Sequence, residues 1–398
     1  MYFSSALAAG QSPSMAKPSS VWILVTSFAF VAYAGCAGTG MTAGSPESAT
    51  RGERHYGYVM SQVSNTIVVI DTSTNEVVRR AKHADMTRPA GGRFHPSLKR
   101  YYAGGSGKIT IWDTTDLSNP TYLRTVVPAA GSTGEYRSFV IHRGSRTAID
   151  GTVWMANIQD SKVYVYRAAD LESAASLSPV KVFDAAGAGI SAPHFMMSRP
   201  GTNEIWLTNR PVNDKGFVVR FDGDARTIIT TPTARLETAS TVGDEPNELS
   251  FSRDGQMAYI GHHGHVITGS PANQMNVAVV DAARFALKKL HPMIATATTP
   301  GYVDIDPEAG RVYFATKWSP NLVVFDIKTE RVLRYVDLGG FGPGYGVALA
   351  PDRKRLYIPL GVPAQSAVAV VDAKTLTVVA NIVDSELIGP RAVRFTNY

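Results

Sequence analysis

Cysteine is almost absent from this chain: Cys36 is the only one in 398 residues. One thiol allows no internal disulfide, no C-x-x-C-H haem attachment and no cysteine-rich zinc site. Charge is also sparse, at 18 % Asp, Glu, Lys and Arg with a formal net of +6 and no blocks of one sign. A nucleic-acid partner would call for Lys and Arg clustered on one face, so none is expected. No Gly-x-Ser-x-Gly elbow, P-loop or His-Glu-x-x-His motif occurs, which removes the commonest signatures of hydrolases, nucleotide enzymes and zinc proteases.

Long apolar runs are missing too, apart from one. Val21 to Ala32 is apolar, follows a lone Lys17 and is short for a membrane span, which fits the core of a secretory signal. A start at Met15 would give that signal its usual short basic head. The run ends in Tyr33-Ala34-Gly35-Cys36, which resembles the bacterial lipobox, with Tyr33 where an aliphatic residue is usual. The resemblance implies cleavage before Cys36, lipidation of its thiol and a membrane anchor in the periplasm or at the cell surface. Ala37 at the following position implies the outer membrane. Residues 1–35 are thus read as signal, 36–54 as a flexible tether rich in Gly, Ser, Thr and Ala, and 55–398 as the folded body.

What the body has in abundance is short β-runs between Gly, Pro and Asp turns. Two markers alternate along it. An aromatic recurs as Tyr58, Tyr102, Trp154, Trp206, Tyr259, Tyr313 and Tyr357. A β-run ends at Asp71, Asp113, Arg167, Asp222, Asp281, Asp326 and Asp372, recurring after 42, 54, 55, 59, 45 and 46 residues. Each unit is a four-stranded meander that cannot bury both faces alone, so the copies must stack, and seven copies predict an all-β, seven-bladed β-propeller. The aromatics are expected in the core between sheets, and the aspartates in turns. After Pro390 the chain has only one strand left, Ala392 to Phe395, while the first unit lacks its opening strand. The last strand is therefore expected to complete the first blade and close the ring.

These units resemble the YVTN-type β-propeller repeat. Its tetrapeptide is matched by Trp206-Leu207-Thr208-Asn209, Trp154-Met155-Ala156-Asn157 and Tyr313-Phe314-Ala315-Thr316, with Ser252-Arg253-Asp254-Gly255 and Val68-Val69-Ile70-Asp71 as the flanking features. The resemblance specifies the fold far more than the activity.

Residues just after the proline turns should lie nearest the axis: Ala90, Tyr136, His194, Asn247, Gly301, Gly344 and Arg391, with Tyr302 and Tyr345 next. Loops between second and third strands add Arg210, Lys317 and Trp318. In the fifth unit the two markers are 22 residues apart, against 13 in the first, third and sixth, and the extra length begins Gly261-His262-His263-Gly264-His265. His262, His263 and His265, with His194 from the neighbouring unit, form a candidate site for Zn²⁺, Cu²⁺ or haem iron, with Asn247 and Glu248 behind them.

Three functions follow. The first is an anchored binding module that presents its axial face to a protein, peptide or cell-wall partner. The second, implied by similarity to haem-d-type nitrite reductase propellers, is a metal or haem protein using His194 or His262, with Arg210, Lys317 and Arg391 on the propionates. The third is a lactonase-like, metal-assisted hydrolase drawing on Glu245, Asn247, Glu248 and Asp304.

Overall fold

In the computed structural model the middle strands of each unit are buried on both faces. Thr66–Asp71 shows no exposed position, because each sheet stands edge-on between two others, so its central strands read as continuous apolar runs and not as alternations. The structure describes residues 54–396 apart from 96–97, 129–131, 133, 143–150, 174–177, 185–188, 212–213, 230–234, 243, 265–274, 294–299, 317–318 and 363–364. Seven antiparallel sheets result, one per unit. Cys36 and the proposed signal and tether, up to residue 53, lie outside the described residues.

The inner strands of blades 1 to 7 are Pro390–Phe395, Gly91–His95, Tyr136–His142, Pro193–Ser198, Asp244–Phe251, Pro300–Asp306 and Ala348–Leu349. Outer strands face water on one side and show it in their sequence. Glu76–Lys82 and Arg331–Asp337 place single buried residues, Ala81 and Val336, among exposed charges.

Ring closure is as the sequence predicts. Pro390–Phe395 pairs antiparallel with Tyr56–Ser61, setting Val393 opposite Val59 and Arg394 opposite Tyr58. Val59, Val68 and Val393 of blade 1 share a core with Tyr357, Val368 and Val370 of blade 7. Polar contacts lock the same seam: Tyr357 donates to Asn75 at 2.8 Å and Arg355 to the Thr72 carbonyl at 2.8 Å.

All seven marker aromatics are at most 2 % exposed and fill the cores between blades. The aspartates terminate the third strands, as expected: Asp71, Asp113, Asp222, Asp281, Asp326 and Asp372 each accept a backbone N–H two or three residues on. Where Arg167 replaces the aspartate that turn is not made, and the short helix Ala168–Ser173 follows instead. A second departure, in blade 4, has no signal in the residue pattern. There Thr227–Ile228 is a two-residue outer strand, and Arg235–Val242 also pairs with Lys215–Asp222.

Candidate functional site: the axial channel

The site is built by β-bulges. In five blades the register between inner and second strand slips just after the turn, so that the ladder skips Arg391, Arg137, His194, the pair Asn247–Glu248 and the pair Gly301–Tyr302. A bulge re-aims the side chains it carries. Three of these residues, Arg391, Arg137 and Tyr302, line a narrow neck on the axis with Gln62, Ala90 and Tyr345. The inner strands also approach closely. A side chain on Gly91 would overlap the carbonyl of Arg137 in the next blade, so only glycine fits there.

Charge in the neck is relayed around one carboxylate. Arg391 donates its Nε–H to Gln62 at 2.8 Å, and Gln62 donates to Glu135 at 3.2 Å. Arg137 donates to the other Glu135 oxygen at 2.8 Å, and Arg88 sits 3.2 Å from the first. The Arg391 guanidinium lies 4.1 Å from the centre of the Tyr345 ring, a cation–π contact. Two guanidiniums, Arg137 and Arg88, thus share one buried carboxylate, and a third, Arg391, reaches it through Gln62.

Beyond the neck the channel opens into a chamber of about 370 Å³. Its walls have opposite characters. Arg93 and Arg394 project from adjacent blades 2 and 1, while Glu248 and Asp304 come from adjacent blades 5 and 6. Apolar residues including Phe195, Met197, Val303, Val347 and Phe395 fill the rest. Arg394 donates to Glu248 at 3.4 Å. Each Asp304 oxygen accepts one backbone N–H, from Ile305 at 2.8 Å and from Leu349 of the next blade at 2.7 Å. The Arg93 guanidinium makes no hydrogen bond or close ion pair with any described residue, and feels Asp304 and Glu248 only across the chamber.

Burial sets the protonation chemistry. It pushes the Glu248 carboxyl up to about 7, against the opposing pull of Arg394 and a backbone N–H from Val303. Asp304 is raised for the same first reason. Arg93 is lowered to about 10, by burial and then by the neighbouring Arg394, against the opposing pull of Asp304 and Glu248, and so stays charged at neutral pH. Tyr302 is raised by burial and feels Glu248 on one side and Arg137 and Arg391 on the other, which places it between chamber and neck. Among the described residues, the Tyr101 hydroxyl and the fully buried side-chain amide of Asn247 have no hydrogen-bond partner.

The sequence-predicted residues divide accordingly. Arg391, Tyr302, Tyr345 and Ala90 line the neck. Tyr136 does not: its ring packs in the core between blades 2 and 3, near Tyr164, and the bulge hands the axial position to Arg137. Arg210 is not free to meet a ligand but forms a buried ion pair with Glu245. His194 is buried with its ring 6.4 Å from that of Tyr302. Gly261 to Gly264 is not a loop but the end of the strand Met257–Gly264, in which His262 pairs with Pro246 and is fully buried, and His263 pairs with Glu245. Lys317, Trp318 and His265 lie outside the described residues. Among the described residues no group of three or more His, Cys, Asp or Glu is placed to hold a metal ion.

Arg93, Arg137, Arg394 and Gln62 were not anticipated. A signal for two of them existed. The inner-strand residues paired with the seven marker aromatics are Arg394, Arg93, Val140, Met197, Ser250, Asp304 and Ala348. Three charges at one level of an otherwise apolar or small ring mark the chamber.

No protein-family model and no curated protein matches the chain. Solved structures do resemble it. The periplasmic gluconolactonase PpgL of Pseudomonas aeruginosa aligns with a TM-score of 0.63 and 16 % identity over 86 % of this chain and 99 % of its own. A Kuenenia stuttgartiensis hydrazine synthase chain aligns at 0.62 and 12 %, over 78 % and 90 %. The dihydro-heme d1 dehydrogenase NirN aligns at 0.54 and 16 %, over 85 % and 74 %. At such identities the likeness establishes the β-propeller fold and no more.

Proposed function

We propose that the protein is a lipid-anchored, extracytoplasmic propeller that binds an anionic ligand in its axial channel. One observation carries this reading: the Arg93 guanidinium stands in a 370 Å³ chamber with no hydrogen-bonded partner among the described residues. A buried guanidinium is costly unless it is hydrogen-bonded, and a carboxylate offers it two parallel hydrogen bonds. Arg391 and Arg137 at the neck add positive potential along the approach. The anchor rests on the lipobox-like run ending at Cys36. His194 and His262, buried in strands beside the channel, are read as packing residues.

The test is a thermal-shift screen of small anions against the protein and its Arg93→Ala variant. Anions should raise the melting temperature of the former and not of the latter. Equal protection of both would place the anion elsewhere.

A second reading, hydrolysis, draws on Glu248, which is placed to accept or return a proton near neutral pH. It is addressed by assaying lactone opening, the reaction class suggested by the gluconolactonase-like fold, with and without Glu248→Gln.

A further inference from the structure

The chamber's contents restrict the anion. Arg394 is hydrogen-bonded to Glu248, whereas the Arg93 guanidinium has no hydrogen-bonded carboxylate and feels Glu248 and Asp304 only across the chamber; two arginines facing two carboxylates accommodate one added negative charge if one carboxylate takes a proton. Between the four charged groups the wall carries the apolar side chains Phe195, Met197, Val303, Val347 and Phe395. These side chains favour a ligand with an apolar body whose polar atoms are gathered at its charged end. Bringing an anion beside Glu248 would set two negative groups in one low-dielectric space, where a like charge favours protonation of one of them.

We propose that the chamber takes a small monocarboxylic acid with an apolar body, its carboxylate on Arg93, and that Glu248 takes up one proton from solvent as the anion binds. The inference rests on the axial-binding reading above. Glu248 is faced by Arg394 from blade 1, Arg93 from blade 2, and Asp304 and Tyr302 from blade 6; the buried histidines of adjoining strands are His194 and His262. Its carboxyl, lifted to about 7, stands near the midpoint of its titration in neutral solution. Below that pH the empty chamber already carries the proton and should bind an anion directly. Above it each anion must bring a proton, so affinity should fall as pH rises, by up to about tenfold per unit.

Isothermal titration with benzoate, at about pH 6 and about pH 8.5 in buffers of differing ionisation enthalpy, tests this. Benzamide, uncharged, and phthalate, doubly charged, are the comparison ligands. Benzoate should bind more tightly than either, weaken at the higher pH and there take up close to one proton. Glu248→Gln should bind benzoate with little pH dependence and no proton uptake, Asp304→Asn should keep both, and Arg93→Ala should lose benzoate at both pH values. Benzoate binding by the unaltered protein without proton uptake or pH dependence would overturn the coupling. Loss of the pH dependence in Asp304→Asn and not in Glu248→Gln would overturn the choice of carboxylate. If benzoate fails to bind while other anions still bind through Arg93, the ligand class is wrong and the axial reading stands; binding undiminished in Arg93→Ala would overturn both.

Discussion

Arg394, on the last strand of the chain, donates to Glu248, which lies 146 residues earlier on the inner strand of blade 5, at 3.4 Å across the axis. The strand that closes the ring therefore also supplies charge to the chamber. Closure and site are one construction.

That pair leads to a pH prediction. Burial raises the folded Glu248 carboxyl from 4.5 to about 7. Between those values the folded protein holds a proton that the unfolded chain has lost, so this group's contribution to stability falls as pH rises through the window and is level above it. The loss is on the order of 3 kcal/mol. Urea denaturation from about pH 4.5 to pH 8.5 should show that slope in the unaltered protein, and Glu248→Gln should flatten it.

Closure predicts a stability effect at Val393, which is 1 % exposed and packed between blades 1 and 7. Val393→Asp should cost roughly 3–5 kcal/mol, because an unpaired carboxylate would be buried at the seam. Denaturant unfolding measures it; a cost below about 1 kcal/mol would mean that the seam opens easily.

Gly91→Ala should also destabilise, by about 2–4 kcal/mol, although the change adds a single carbon. The added Cβ meets the Arg137 backbone in the next blade, which cannot rotate away as a side chain can. Calorimetry should show a melting point lower by several degrees.

His262→Ala tests the reading of that histidine as packing. The side chain is fully buried within a strand, so its loss should leave a cavity and cost about 1–3 kcal/mol, with benzoate affinity unchanged. A variant of full stability that no longer retains copurifying metal would instead return His262 to the metal site expected from sequence.

Blade number and closure were legible because they depend on residue types that recur: Tyr58 to Tyr357 in the core, Asp71 to Asp372 in turns, and Pro390 before a single remaining strand. The channel lining was only half legible. Which residue faces the axis depends on where the register slips, and a bulge is a backbone event with no fixed composition. Hence Tyr136 stood in for Arg137. Likewise, the wide marker spacing in blade 5 suggested a histidine loop, when its first residues, Gly261 to Gly264, extend a strand. Glu248 and Asp304 were noticed as carboxylates, but their meeting with Arg93 and Arg394 needed the ring to be closed.

The most direct measurement is a crystal structure of the protein soaked with 4-bromobenzoate, using the anomalous signal of bromine to locate the ligand. Bromine among Phe195, Met197 and Phe395, with the carboxylate on Arg93, is the predicted result. Bromine outside the channel, with the chamber empty at saturating ligand, would contradict it.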